Sequence, residues 1–318
     1  MIAARTLHLV AEAGIADLLA NGSQAVEQLA AASQTHPDAL QRLLRLLASH
    51  GVCREVVTGV FELTDIGQHL RSDHPESVRS MLTFSGRVSQ AFTDARHSLL
   101  TGTATFPESF GQPFFALLRE EPEMGALFNE SMAEVTRMDS AAVTEAYDFS
   151  EARRVVDLAG GDGTLLTAIL EAFPSTAGVL FDQPHMAPVV RQQIDAAGLR
   201  ERCEFTGGDL FGSLPQGGDV YLLKWILHDW PEPDAIAVLR GCRRAMAPDS
   251  KLLIIEHLIP PGNAPHPSKV YDVVMLVLLG GRERTREEYG KMLTEAGLTL
   301  QRVIDTGSAL SIIEARPA

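Results

Sequence analysis

The run Val155-Val156-Asp157-Leu158-Ala159-Gly160-Gly161-Asp162-Gly163 constrains this chain more than any other feature. An apolar stretch ends in an acid and a glycine series, and the helical pattern Thr164-Leu165-Leu166-Thr167-Ala168-Ile169-Leu170 follows at once. Such a run reads as a buried strand that turns sharply into a helix. Glycines at the turn let the backbone bend where side chains would clash, and they let a ligand approach the N–H groups at the helix start. A tight strand-to-helix connection needs the same glycines, so the neighbouring segments decide what the turn is for.

From Arg154 onward, strands alternate with helices. The expected strands are Arg154–Ala159, Gly178–Asp182, Cys203–Thr206, Val220–Trp225, Lys251–His257, Thr299–Ile304 and Ser311–Ala315. Helical segments separate the first six, which implies parallel βαβ units. Only Asp305-Thr306-Gly307-Ser308 joins the last two, too short for a crossover helix, so they form an antiparallel hairpin. The expectation is an α/β fold with a Rossmann-like, mainly parallel seven-stranded sheet and one reversed strand.

Ligands of such sheets bind at the carboxyl ends of the strands. Asp182 ends the second strand, where a carboxylate accepts hydrogen bonds from ribose hydroxyls, and Asp209 follows the third, where it meets an adenine amino group. One Asp at a strand end is usually a helix cap. Three of them beside a glycine turn point to a nucleoside. The spacing is not GxGxxG, because Leu165 and Leu166 follow Gly161-Asp162-Gly163, which disfavours a nicotinamide dinucleotide.

Helical signals dominate before residue 150. Leu7, Val10, Ala11, Ile15 and Leu18 share one side of a helix over 4–20, Ser23 opens a second, and Pro37 stands one residue into a third that stops at Gly51. Val52–Val57 and Val60–Leu63 then flank Thr58-Gly59 as a hairpin, which completes a winged-helix arrangement. Residues 77–148 continue as helices, interrupted by a loop from Gly102 to Pro113. The expected domains are a winged-helix dimerisation domain over 1–100, a helical linker and substrate-chamber segment over 101–150, and the Rossmann-like catalytic domain over 151–318.

A winged helix can read DNA, and charge argues against that here. The formal net charge is −14, and between Ser23 and Ile66 Glu27, Asp38, Glu55, Glu62 and Asp65 face only Arg42, Arg45 and Arg54. Holding phosphates requires a basic footprint, so no nucleic-acid partner is expected. Cys53, Cys203 and Cys242 are far apart and form no CxxC pair, which suits a reducing cytoplasm and argues against a zinc ribbon. The apolar run Val270–Leu279 carries Asp272 and is about half the length a bilayer span needs. No membrane contact is expected.

Together these motifs resemble the class I S-adenosylmethionine-dependent methyltransferases, and within them the caffeate/hydroxyindole-type small-molecule O-methyltransferases. That family's Asp-Val-Gly-Gly-Gly-x-Gly is matched by Asp157 to Gly163, with Ala159 at the first glycine. Its Phe-Asp-Leu-Pro is matched by Phe181-Asp182-Gln183-Pro184, and its Gly-Asp-Met/Phe-Phe by Gly208-Asp209-Leu210-Phe211. The resemblance spans nearly the whole chain. It implies S-adenosylmethionine as cofactor and no metal, with cofactor contacts from Asp157, Gly160, Gly161, Asp182, Gln183, Asp209, Leu210 and Lys224, and it implies a homodimer.

The family's Leu-Lys-x-x-x-His-Asp-Trp motif is matched by Leu223-Lys224-Trp225-Ile226-Leu227-His228-Asp229-Trp230. A phenol with a pKa of about 10 is mostly protonated at neutral pH. An imidazole, with a pKa of about 6.5, is suited to take that proton as a methyl group moves. The resemblance makes His228 the general base, with Glu256 and Glu283 holding and polarising it. Taken singly, Glu283 reads as a surface partner of Arg282 or Arg284, a pairing worth little. His257 is expected on the opposite face of its strand from Glu256.

Matching family positions pack against an aromatic acceptor, which implies Phe128, Asn129, Met132, Asp229 and Met275 as substrate contacts. Leu279 stands before the paired glycines where plant members often carry a polar residue, so a more apolar, polyketide-like aromatic secondary metabolite is the expected acceptor. Two readings compete: a relative that keeps the cofactor but hydroxylates, decarboxylates or catalyses a pericyclic step, and a winged-helix regulator without catalysis. His228 with both glutamates favours methyl transfer.

Overall fold

In the computed structural model, which describes residues 2–318, internal contacts divide the chain into two units. The first comprises the chain up to Gln90 together with Phe115–Val135, and the second Ala91–Phe114 with Thr136–Ala318. Residues 101–150, read from sequence as a linker, are therefore shared between the two.

In the first unit the helices Ile2–Glu12 and Ile15–Leu18 are parted at Gly14, whose φ of 66° ends the first of them. The stripe read over 4–20 is thus broken, although Val10, Ala11 and Ile15 stay buried. The helix read from Ser23 starts at Val26, because Gln24–Ala25 (β1) is drawn into a small sheet. Pro37 opens the helix Pro37–Ser49, which buries Leu40, Leu44 and Leu47 along one face. Cys53–Val57 (β2) and Val60–Leu63 (β3) form the hairpin, and the antiparallel order is β1-β3-β2. Phe61 and Leu29 lie at the centre of this core with no exposed surface. The result is a winged helix. Its arginines are taken: Arg42 pairs with Asp38, Arg45 with Glu55 and Arg54 with Glu62.

The second unit is built on a seven-stranded sheet. Its strands are Arg154–Leu158 (β4), Ala177–Asp182 (β5), Cys203–Gly207 (β6), Val220–Lys224 (β7), Lys251–Glu256 (β8), Leu298–Asp305 (β9) and Ser311–Pro317 (β10). They lie in the order β6-β5-β4-β7-β8-β10-β9, with β10 antiparallel to both of its neighbours and the pairings from β6 to β8 parallel. Alternate residues point to opposite faces of a sheet, and the core divides accordingly. Val156, Leu158, Tyr221, Leu223, Leu252 and Ile254 pack on one face, with helices Glu232–Ala245 and Arg286–Glu295. Val155, Val220, Leu222, Leu253 and Ile255 pack on the other, with helices Thr164–Ala172 and Ala187–Ala196.

The chain moves outward from β4 in both directions, through β5 and β6 on one side and through β7 and β8 on the other. That reversal opens a crevice beyond the carboxyl ends of β4 and β7. Among the described residues no helix is long and apolar enough to cross a membrane.

Candidate active site

The glycine turn leaves the end of β4. Ala159, Gly161 and Gly163 all have positive φ, at 54°, 62° and 90°. A residue with a Cβ is strained in that region, so Ala159 carries a conformation that the family motif assigns to glycine. Gly160 is required for a different reason: a Cβ there would lie 2.6 Å from Asp157 Oδ2. Above Gly161 the space is open, with no atom of the described residues other than its chain neighbours within 4 Å of where a Cβ would be. Gly163 then caps the helix Thr164–Ala172.

Three acids stand at this edge. Asp157 is buried, and its Oδ2 has no hydrogen-bond partner among the described residues. Burial, reinforced by the nearby Asp182 charge, pushes its carboxyl up to about 7. Asp182 Oδ2 accepts the Gly161 N–H at 2.8 Å, and Oδ1 accepts the Gln183 N–H at 2.6 Å, so this carboxylate ties the turn to the end of β5. Asp209 is exposed beyond β6 and accepts the Phe211 N–H at 2.9 Å, with Leu210 half-buried beside it. An orphaned buried carboxylate, an open cradle over Gly161 and a helix N-terminus fit a nucleoside with a cationic tail.

The second turn leaves β7 and carries His228, which is 3% exposed. Its Nδ1 lies 2.7 Å from Glu283 Oε1, and its Nε2 lies 3.4 Å from Asp229 Oδ1. Burial alone lowers the pKa of an imidazole. Here the Glu283 hydrogen bond and the charges of Asp229, Glu256 and Glu283 outweigh it and raise His228 to about 9. Asp229 is pushed up to about 7, first by burial and then by Glu256 and Glu283, against the opposing pull of His228.

Glu256 does not touch the imidazole. Its Oε1 accepts the backbone N–H groups of Ile226, Leu227 and His228 at 3.1, 2.6 and 3.2 Å, and its Oε2 accepts the hydroxyl of buried Tyr289. It holds the turn, while Glu283 holds the ring. Glu283, read alternatively as a surface partner of its neighbours, is fully buried. Arg282 pairs with Glu288 instead, and Arg284 binds backbone carbonyls.

The Lys224 side chain is 8% exposed; its Nζ lies 3.4 Å from Asp139 Oδ2, 3.2 Å from Thr136 Oγ1 and 4.4 Å from the centre of the Trp225 ring. Burial lowers its pKa, and Asp139 opposes that shift. Trp225 has a φ of 56°, and its ring lies 5.9 Å from that of His228 and 5.5 Å from those of His257 and Tyr271. His257, expected on the far face of its strand, lies just beyond β8 and stacks on Tyr271 at 4.7 Å. Buried Met275 sits on the helix Pro267–Leu278 of the second unit. Phe128, Asn129 and Met132 lie half-buried on the first half of the helix Pro122–Ala146, in the first unit, where Phe128 meets Phe84 at 5.3 Å.

Asp139, Trp225, Tyr289 and Arg284 are site residues that residue type and spacing do not announce. Tyr289 has only a core signal, since Tyr289, Met292 and Leu293 form the i, i+3, i+4 buried face of their helix. Arg284 has none, because charged neighbours on both sides make it look like surface.

Residues 89–299 match the family model described as the O-methyltransferase domain, and residues 1–73 match the one described as the O-methyltransferase dimerisation domain. The chain is 42% identical to a phenazine O-methyltransferase of Lysobacter antibioticus over 98% of its own length and 92% of that protein's. It is 37% identical to a mitomycin biosynthesis 6-O-methyltransferase of Streptomyces lavendulae, over 99% and 91%. Among solved structures it resembles an O-methyltransferase from neocarzinostatin biosynthesis, in complex with S-adenosylmethionine and 2-hydroxy-5-methyl naphthoic acid. That likeness has a TM-score of 0.88 and 31% identity, covering 100% of this chain and 97% of the other.

Proposed function

The chain belongs to the O-methyltransferase family, and on that premise we propose that it transfers the methyl group of S-adenosylmethionine to a hydroxyl of an aromatic secondary metabolite, with His228 as general base. The observation that carries this reading is the 2.7 Å contact between His228 Nδ1 and Glu283 Oε1, on the sheet edge shared with the glycine turn. A base tied at Nδ1 presents Nε2 to its substrate, in one orientation.

The donor supplies an electrophilic methyl group on a positively charged sulfur. Asp157 is suited to hold its ammonium end through the orphaned Oδ2, Asp182 the ribose and Asp209 the adenine amino group. Gly160, Gly161, Gln183, Leu210 and Lys224 complete the cofactor set that the family motif suggests. His228 removes the proton of the acceptor hydroxyl through Nε2, and Glu283 stabilises the imidazolium that results. Asp229 lies beside Nε2, where it orients the hydroxyl. The surrounding carboxylates raise His228 to about 9, and the positive charge of a bound donor opposes that shift.

Met275 is the proposed acceptor contact of the second unit. Apolar, adaptable side chains of this kind suit a flat ring. The dimerisation module at residues 1–73 supports a homodimer.

Thermal shift measurements test the cofactor. S-adenosylhomocysteine is expected to raise Tm by mass action and NAD to leave it unchanged; the reverse result overturns the assignment. A panel of hydroxylated and aminated aromatics with labelled methyl donor then identifies the accepting atom by mass spectrometry. Label found only on nitrogen, or product formed without label, sinks the hydroxyl-transfer reading.

A further inference from the structure

Arg284 is 0% exposed and hydrogen-bonds no carboxylate among the described residues. Its Nη1 donates to the Leu227 carbonyl at 2.8 Å and its Nη2 to the Trp230 carbonyl at 2.9 Å, so the guanidinium brackets the two residues between them, His228 and Asp229. Its Nε has no partner among the described residues. A buried charge that is incompletely hydrogen-bonded is costly, so packing alone gives no reason for an arginine here.

The bonds around the turn supply one. Glu256 takes the N–H groups of Ile226, Leu227 and His228, and the Arg282 N–H donates to the His228 carbonyl at 2.8 Å. Arg284 takes the carbonyls on either side. Its own backbone is fixed in turn, bridging Leu258 beyond β8 and accepting the Ile259 N–H at 3.0 Å. Glu283, the ring's partner, is the residue just before it. One short segment therefore carries both the imidazole's hydrogen-bond acceptor and the clamp on the backbone that bears the imidazole.

We propose that Arg284 is a positioning residue, which fixes the turn between Leu227 and Trp230 so that His228 meets Glu283. A rigid two-pronged donor is needed to span both carbonyls. Lysine, with one ammonium on a flexible stem, reaches one of them. The proposal rests on His228 as the base for its consequence in turnover, but its geometric content is measurable without turnover.

The test uses Arg284→Met and Arg284→Lys in the full chain with 15N-labelled histidine. The proton shared by His228 Nδ1 and Glu283 gives a low-field NMR resonance, assigned by its absence from His228→Ala. The Met variant is expected to lose or broaden that resonance, and its kcat to fall by roughly 100-fold, the cost of a misplaced reacting group. Its KM for S-adenosylmethionine and its stabilisation by S-adenosylhomocysteine are expected to change little. The Lys variant falls between Met and wild type.

Retention of the resonance and of kcat in either variant overturns the proposal, and Lys decides alone if Met does not fold. An active His228→Ala together with a lost resonance in the Arg284 variants removes the base and leaves the positioning role standing. An inactive His228→Ala with an intact resonance in those variants does the opposite.

Discussion

Two turns leave the same edge of the sheet, one after β4 and one after β7, and they are built on opposite principles. The first is made of small residues, keeps open space above Gly161, and is tied down by Asp182. The second is made of bulky residues, and its N–H and C=O groups are bound by Glu256, Arg282 and Arg284. A turn with open space above it can receive a ligand. A backbone bonded to the protein at many points holds a side chain still. On the proposed function the first turn serves binding and the second chemistry, and substitutions at the two should therefore fail in different ways.

The largest effect is expected at the second turn. His228→Ala should lower kcat by roughly 10²–10⁴-fold while the affinity for S-adenosylhomocysteine stays near that of wild type, measured by calorimetry. A loss of affinity as large as the loss of rate would erase the distinction between the turns.

Gly161→Ala should show the converse. Its φ of 62° strains an alanine, and the new methyl group enters the open space above the turn. Cofactor Kd is expected to rise by roughly tenfold, about 1.4 kcal/mol, with kcat at saturation little changed. An unchanged Kd would mean that the ligand does not sit on this turn.

A third test reads protonation. Folding raises the pKa of His228 from about 6.5 to about 9, so between those values the native state holds a proton that the unfolded state has released. The stabilisation from this group is complete below the lower value and is lost as pH rises through the upper one. Denaturation midpoints of wild type and His228→Gln should therefore draw together between pH 7 and pH 10. A constant gap would show that the three carboxylates do not hold a proton on the ring.

The smallest effect belongs to Ala159. At a φ of 54°, Ala159→Gly relieves about 1 kcal/mol of strain and returns part of it as chain entropy. A rise in Tm of no more than about 2–4 °C is expected, without a change in kcat.

The sequence displays the first turn far better than the second. Glycines declare a special backbone conformation, and acids at strand ends declare a polar edge, so Asp157, Gly160, Gly161 and Asp182 were readable from residue type and spacing. The alternation of strand and helix likewise exposed all seven strands and the final hairpin, although no helix separates β6 from β7, where one was expected. Bonds made by a backbone leave no such trace. Glu256 was expected on the imidazole because the motif pairs them; that it holds the N–H groups of Ile226–His228 follows from how the turn folds back over the end of β8. Arg284 was hidden for the same reason, since its partners are carbonyls of Leu227 and Trp230, which carry no residue identity. Gly14 and β1 show the limit at finer scale, where a glycine within an apolar stripe and a two-residue strand changed helix boundaries that periodicity alone had drawn elsewhere.

The placement of β10 between β8 and β9 has a consequence for how the sheet assembles. β9 is made before β10 yet has no sheet neighbour until β10 is in place. As the chain leaves the ribosome, the outer edge of β8 therefore stays unpaired while the next 54 residues, from His257 to Leu310, are synthesised. An open, apolar strand edge is a template for pairing with another chain, and late, non-local strand insertion is intrinsically slow. The reversed strand thus acts as the closing step of assembly, and its arrival ends the period in which the nascent protein is most exposed to aggregation.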